Sequence, residues 1–582
     1  MHKCFKKKLA ITMLASILLQ ALSPITLLAE QIRICCTEPI KPCKPKHKNK
    51  KYYDADYIII GMGGAGAVIA NRLTKDRKTS VIGLEAGDNN SQDPVIIIPE
   101  QGYFFLFPFF YPQYFWQGEG VPQFQLDGQS YAWSSGRLLG GGTSINGLQV
   151  VLGSDAYWSE IEALLGSDWS LEKTRKRYKK LETYIAPFPT SPARGTNGPW
   201  TNIALPFNPT EDDQYLFNAM TVVSGMPPVL DFNNPETPNG AFLQWDTQER
   251  IENGSFLREA TSYAFLDETV MTPNGVGVNG RKLRVHLRST AIDLIWKNNK
   301  VIGVRYTQDG KCHTLFARKE VIVCAGFQSA QFLQRNGIGP KDILNAAGVP
   351  VRVDNPHVGE LVNHTYIGSL IQIPPGTEII PPAEPWAVWG PGAMLPAVTP
   401  PADPNNTLRD IQWISTPLSD ELLFFGAGLM RVKSVGSVAI QNDDPLKIPL
   451  ADANLLSNPE DIDKLADAYQ NFALDLENYF EANPSPKGTW TFIAPTKDVM
   501  MDRDALIAFI KANASQAHHY CSTTKAALSP ENGVVDPYGH VFGVKGLRVA
   551  DVSILPVIPD GNTATPAVLI GWTIADFIRA GK

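Results

Sequence analysis

The segment Tyr57 to Gly87, YIIIGMGGAGAVIANRLTKDRKTSVIGLEAG, constrains what this chain can fold into more than any other stretch. The apolar run Tyr57 to Ile60 has the length and branching of a buried parallel strand, and it breaks at Gly61 into a glycine-rich turn. Gly61, Gly63 and Gly66 spell G-x-G-x-x-G. The first glycine lets the chain turn tightly, the second admits backbone amides to a pyrophosphate, and the third lets the next helix pack on the strand. The spacing predicts a helix over Ala65 to Leu73, its N-terminal amides facing the phosphates, and a second strand over Ser80 to Leu84. Glu85, 24 positions after Gly61, ends that strand where a carboxylate can accept both hydroxyls of an adenosine ribose. An acid there favours a free 2′-hydroxyl, so NAD or FAD fits better than NADP. A glycine turn alone is a weak signal; its place between strand, helix and acid points to a dinucleotide.

With 582 residues the chain can hold two or three domains at about 150 residues each. A net charge of −6 makes no case for nucleic acid as a partner. Lys3, Lys6, Lys7 and Lys8 precede the apolar segment Leu9 to Leu28, which reads as a Sec-type signal peptide over residues 1–29 and an exported protein. Leu27 stands where cleavage prefers a small residue, so an uncleaved N-terminal membrane anchor is the alternative. Residues 30–53 form a basic, proline-containing linker. Cys35, Cys36 and Cys43 cluster there, placed to pair with one another after export; with no matching histidines, no metal site is expected. Cys312, Cys324 and Cys521 are scattered and expected to be small buried hydrophobes.

Gln101 to Trp116, QGYFFLFPFFYPQYFW, is dense in aromatics, and Pro108 and Pro112 prevent a regular helix. It is expected to be a loop packed on the core, with a lid or a surface meeting apolar substrate or membrane as the sharper reading. Ser134 to Gly147, SSGRLLGGGTSING, carries Gly140, Gly141 and Gly142 in a row, a sign of close backbone approach and a second phosphate or flavin contact. Ser170 reads as a helix N-cap, and residues 190–285 as loop-rich. Arg284 to Tyr306 reads as strand, connection, strand, turn and strand, followed by a strand at Glu320 to Cys324 and a helix from Ser329 to Arg335. Residues 366–450, with strands such as RVKSVGSVAI, suit an antiparallel sheet with long loops.

Five ordered segments resemble the glucose-methanol-choline (GMC) family of FAD-dependent alcohol oxidoreductases. They are the fingerprint with Glu85; SSGRLLGGGTSINGL at 134–148, similar to PRGKxLGGSSxINGM; and CAGFQSAQFLQRNGIGP at 324–340, similar to GAxxSPQLLxxSGIGP. The others are NPHVGELVNH at 355–364, similar to VGxNLxDH, and the C-terminal run from His519. Together they cover nearly the whole chain from residue 54. The resemblance implies an α/β fold: a Rossmann-like FAD-binding domain with a second α+β substrate domain built on an antiparallel sheet. It places FAD binding in residues 54–190, 280–365 and 515–582, and substrate binding in 191–279 and 366–514.

The implied site follows residue by residue. His519 occupies the histidine place of a motif resembling H-P-x-G-T-C and is implied to act as general base. Asn562 stands 14 positions before Asp576 in the last helix, where the family has histidine or asparagine, and is implied to orient the substrate oxygen. Cofactor contacts fall on Gly61, Gly63, Gly64, Gly66 and Glu85; on Gly140, Gly141, Thr143, Asn146 and Gly147; and on Ala291, Asp551 and Ser553. Ile145 corresponds to the histidine that some members join to flavin, so FAD is expected to be non-covalent. His364 matches a family histidine outside the reacting pair and reads as structural, while Asn363 stands where the family has aspartate. The implied activity is oxidation of an alcohol to an aldehyde or ketone, choline dehydrogenase-like, with oxygen or a quinone or cytochrome as electron acceptor and with peripheral membrane contact kept open. A hydroxynitrile lyase of the same family and a catalytically degenerate flavin-binding protein are the alternatives.

Overall fold

The computed structural model describes residues 53–99, 107–206, 208–235, 239–380, 389–398 and 409–582. The signal segment, the basic linker with its three cysteines, and residues 101–106 of the aromatic stretch lie outside the described residues. Among those described, no helix is long and apolar enough to cross a membrane.

Along the chain come β1 (Ala55–Ile60), α1 (Gly64–Thr74) and β2 (Val81–Leu84), then β3 (Leu283–His286), β4 (Ser289–Lys297), β5 (Lys300–Gln308) and β6 (Lys311–Val323). They continue with α2 (Gln328–Arg335), β7 (Thr365–Ile367), β8 (Ile411–Ser419), β9 (Leu422–Leu429), β10 (Ala514–Gln516), β11 (Leu547–Val549) and α3 (Ala564–Arg579).

A parallel sheet runs β3-β2-β1-β6-β11, with Ile58 level with Ile82 on one side and Val321 on the other. All six residues of β1 are buried, as a strand covered on both faces requires. β6 serves two partners along its length: its first half pairs antiparallel with β5, and its second half lies parallel to β1. The fingerprint turn, the helix after it and the 284–306 pattern thus fold as the spacing predicts, and Ser170 accepts a hydrogen bond from the Lys173 amide as an N-cap.

A second, eight-stranded sheet takes β7, β8, β9 and β10 with four further strands, every neighbouring pair antiparallel. The fold is therefore mixed α/β with a parallel and an antiparallel sheet, as expected. Several details differ. Residues 190–285 are not simply loop: Glu211–Ser224 is a helix closed by a capping box between Thr210 and Asp213. Of RVKSVGSVAI only Gly436–Ala439 is a strand, and it belongs to a separate three-stranded sheet. Cys324 and Cys521 are buried free thiols, but Cys312 is exposed and disulfide-bonded.

α3 packs against α1, and the contact depends on the absence of a side chain at Gly571, where a Cβ would stand 2.6 Å from the Ala65 carbonyl oxygen. Gly571→Val forces these helices apart and is expected to cost about 1–3 kcal/mol. A urea-unfolding midpoint equal to that of the parent would contradict this packing.

Candidate active site

The glycine turn is fixed by collision. Gly61 has φ +89°, and a Cβ there would strike the Cys324 carbonyl, while a Cβ on Gly66 would strike the Gly61 carbonyl. These glycines let β1, α1 and the end of β6 meet. The second glycine element packs on the first: a Cβ at Gly141 would lie 2.9 Å from the Gly63 Cα. Gly142 faces open space, with nothing within 4 Å of the position a Cβ would take.

One cavity of about 670 Å³ gathers most of the residues singled out above. Gly61, Gly63, Gly64, Glu85, Gly141, Thr143, Asn146, Gly147, Ala291, Asp551, His519 and Asn562 line it. Gly66, Gly140 and Ser553 do not reach its wall; they lie behind it, Ser553 sharing a 2.6 Å hydrogen bond with the Thr524 hydroxyl. The Glu85 carboxylate accepts from the amides of Met62 (3.0 Å) and Gly87 (2.8 Å), and burial pushes its pKa up to about 7. Two carboxylate oxygens carry about four acceptor sites, so Glu85 keeps capacity for a ligand. The Ser289 amide donates to the Glu85 carbonyl at 2.7 Å, which brings the start of β4, and Ala291, to the same end. Asp551 accepts from the Gly326 amide (3.0 Å) and the Ser329 hydroxyl (2.7 Å), tying the start of α2 to the C-terminal segment. The side-chain oxygen of Asn146 accepts from buried Arg258 at 2.7 Å. A narrow groove of side-chain-free backbone, a helix N-terminus and a carboxylate at its end fit the ADP half of a dinucleotide.

At the other end, β7 and β10 pair antiparallel with Thr365 opposite Gln516, which places residues 362–364 against 517–521. His518 and His519 both line the cavity, but they differ in partners. His518 Nδ1 meets the Tyr520 hydroxyl at 2.9 Å, whereas His519 Nδ1 meets His364 Nδ1 at 2.9 Å. His364 Nε2 faces two carbonyl oxygens, Pro559 at 2.9 Å and Met430 at 3.1 Å, so it carries the proton. Its Nδ1 then holds a lone pair, and His519 Nδ1–H must donate to it. His519 Nε2 is left unprotonated, and Asn562 Nδ2 approaches it at 3.4 Å. Asn363 accepts the His519 backbone N–H at 2.9 Å, so the asparagine standing for aspartate still holds the loop without adding a charge.

Asn562 is fixed by two glutamines that carry no motif. Its Nδ2 donates to Gln149 Oε1 at 2.9 Å, its Oδ1 accepts from Gln412 Nε2 at 3.0 Å, and Gln412 Oε1 accepts from the Tyr366 hydroxyl. The pKa of His519 is held well below its ordinary value by burial, with His364 and His518 adding to the effect. That of His364 is lowered to about 4, also by burial, so both rings are neutral at pH 7. The aromatic stretch divides: Phe109 and Phe110 are exposed, while Pro108, Phe115 and Trp116 line the cavity.

Family models described as GMC oxidoreductase match residues 55–366 and 432–571. An oxygen-dependent choline dehydrogenase of Chromohalobacter salexigens is 27% identical over 562 residues, covering 90% of this chain and 94% of that protein. A 5-(hydroxymethyl)furfural oxidase of Methylovorus sp. is 28% identical over 554 residues, covering 90% and 98%. Pyridoxine 4-oxidase from Mesorbium loti shares the fold, with a TM-score of 0.79 at 21% identity over 90% of this chain and 99% of that one.

The buried, neutral state of His364 has a measurable consequence for stability. Below the ordinary value of 6.5 the unfolded imidazole takes a proton that the folded one refuses until about 4. Stability is therefore lost as pH falls through that window, by up to about 1.4 kcal/mol per pH unit. His364→Gln should flatten the slope of unfolding free energy against pH between these values. A slope identical to the parent's would contradict neutral burial of the ring.

Proposed function

The chain belongs to the GMC oxidoreductases, and from that premise we propose that it is an FAD-dependent enzyme that oxidises the CH–OH group of a small alcohol to an aldehyde or ketone. The observation that carries this reading is the chain of contacts from the Pro559 and Met430 carbonyls through His364 to His519, from which an unprotonated His519 Nε2 follows, set beside Asn562 in the same cavity as the glycine groove. Bound FAD supplies the hydride acceptor. Gly63, Gly64 and the N-terminal amides of α1 would hold its pyrophosphate, Glu85 its ribose and Ala291 its adenine, with Thr143, Asn146, Gly147 and Asp551 along the remainder. Residues 54–190, 280–365 and 515–582 make up this FAD-binding part in our reading, and 191–279 and 366–514 the substrate part.

Asn562 holds the substrate hydroxyl oxygen through its amide, steadied by Gln149 and Gln412. His519 Nε2 takes the hydroxyl proton as the carbinol C–H leaves as hydride, so the alcohol loses one proton and one hydride and becomes a carbonyl. His364 acts by position, keeping the His519 proton on Nδ1. The electrons then pass to oxygen or, as the competing acceptor, to a quinone or cytochrome. Export through residues 1–29 is part of the proposal on the strength of the sequence.

Anaerobic mixing of the flavin-loaded protein with a panel of alcohols tests this reading. One alcohol should bleach the flavin, and His519→Ala should slow the bleaching by about 10²–10⁴-fold with flavin content unchanged. Equal rates in parent and variant would remove His519 as base, and cleavage of a cyanohydrin without bleaching would point to the lyase chemistry instead. Because the pKa of His519 is lowered, the base is fully available above 6.5. The bleaching rate should stay level as pH falls to that value and decline only further down; an inflection above it would contradict the assignment. Ile145 offers no nitrogen for a flavin bond, so acid precipitation should leave all flavin in the supernatant. Flavin retained in the pellet would show a covalent link.

A further inference from the structure

Arg194 shows what the burial of a guanidinium asks for: it meets three carboxylates, Glu182 and Asp231 at 2.6 Å and Asp246 at 2.9 Å. Arg258 is just as buried, yet it forms no ion pair among the described residues. Its nitrogens donate instead to neutral oxygens, the Ile96 carbonyl at 3.0 Å and the carbonyl and side-chain oxygen of Asn146 at 2.8 Å and 2.7 Å. The strands Glu249–Glu252 and Ser255–Arg258 form a hairpin that sets Glu249 opposite Arg258 in register. That acid is its only carboxylate neighbour of note, and burial pushes it up to about 7. Glu259, next along the chain, is engaged by Arg250 at 3.4 Å.

The oxygens that hold Arg258 belong to the wall of the cofactor groove. Asn146 lines the cavity, and so does Ile145 beside it, at the place where some family members carry the histidine joined to flavin. This is therefore the ring end of the groove. Gln248, one residue ahead of the hairpin, grips the same wall: its amide donates to the Thr143 carbonyl and accepts from Asn146 Nδ2 at 2.8 Å. The Asn146–Gly147 peptide is trans, so with its carbonyl on Arg258 its N–H points the other way. Reduction adds charge at this place. Taking up two electrons and one proton leaves a flavin ring with one negative charge at neutral pH, and a fixed, poorly solvated cation favours that state over the neutral oxidised ring.

We propose that Arg258 sets the reduction potential of the bound flavin: it positions Asn146 through two hydrogen bonds, and its guanidinium, left without an ion pair, stabilises the negative charge of the reduced ring. The proposal rests on the flavin-binding part of the reading above and not on its alcohol chemistry, and its test uses no alcohol. The flavin-loaded protein and three variants are reduced anaerobically by dithionite beside a dye of known potential, at pH 8.5, where Glu249 is ionised. Unit charges about 10 Å apart in a medium of effective dielectric about 20 interact by more than one factor of ten. Arg258→Met keeps the length of the side chain and removes its charge. It should make reduction at least about tenfold less favourable, a fall of about 30 mV for a two-electron couple. Arg258→Lys keeps the charge and should fall by less than half as much. Glu249→Gln removes the charge that opposes Arg258 and should raise the potential, favouring reduction at least about threefold. An unchanged potential in Arg258→Met, or a fall in Arg258→Lys as large as that in Arg258→Met, would overturn the proposal. If Arg258→Met does not fold or hold flavin, Glu249→Gln decides: a rise supports the proposal and a potential equal to the parent's overturns it. Absence of bound flavin from the parent protein would remove the FAD reading and the proposal with it. The predicted shifts together with an alcohol panel that bleaches nothing would leave the proposal standing and remove alcohol oxidation.

Discussion

The arrangement turns on the hydrogen bonds that His364 Nε2 gives to the carbonyls of Pro559 and Met430. They place the His364 proton, which dictates that His519 donates from Nδ1 and leaves Nε2 bare. A catalytic imidazole in water samples both tautomers and titrates near neutrality. Here burial keeps both rings neutral, and the contact between them removes the choice of tautomer. The carbonyls that do this come from distant parts of the chain, one from just after β9 and one from the loop ahead of α3, so the tautomer is a product of the tertiary fold.

The sheets contribute in different ways. The parallel sheet brings chain segments together where side chains are missing, at Gly61, Gly63, Gly66 and Gly141, and so builds a groove walled by backbone. The antiparallel sheet supplies side chains: strand pairing of β7 with β10 sets His364 beside His519, and β8 and β9 contribute Gln412, Ile414 and Phe424. The turn carrying Asn562 docks on the segment after the second glycine element, where a Cβ on Gly561 would strike Val151 and Asp560 accepts the Ser154 amide.

Much of this was legible in the sequence because it is local. The strand, glycine turn, helix and acid of residues 57–85 are set by spacing and backbone sterics, and the 284–306 hairpin by alternation and a turn. His519 and Asn562 could be located only through resemblance, since a histidine in HHYCST and an asparagine in GNT carry no chemistry by themselves. Gln149, Gln412 and Tyr366 escaped because each sits in an ordinary stretch and gains its part from partners more than 40 positions away. His364 read as structural, and its bearing on His519 arises only where the fold brings both rings and both carbonyls together. The helix at Glu211–Ser224 is a different case. Thr210-x-x-Asp213 is a capping signal ahead of a helical stretch and could have been read. The exposure of Cys312 was not readable, because a lone cysteine in an alternating strand does not declare which face it occupies.

The most direct test of the account is the protonation of the His519 ring, read by nitrogen NMR on histidine-labelled protein with the signal assigned through His519→Gln. The account predicts, at neutral pH, a neutral imidazole with the proton on Nδ1 and an unprotonated Nε2. A proton on Nε2, or an imidazolium, would contradict it, because no lone pair would then face Asn562, as the proposed base role requires.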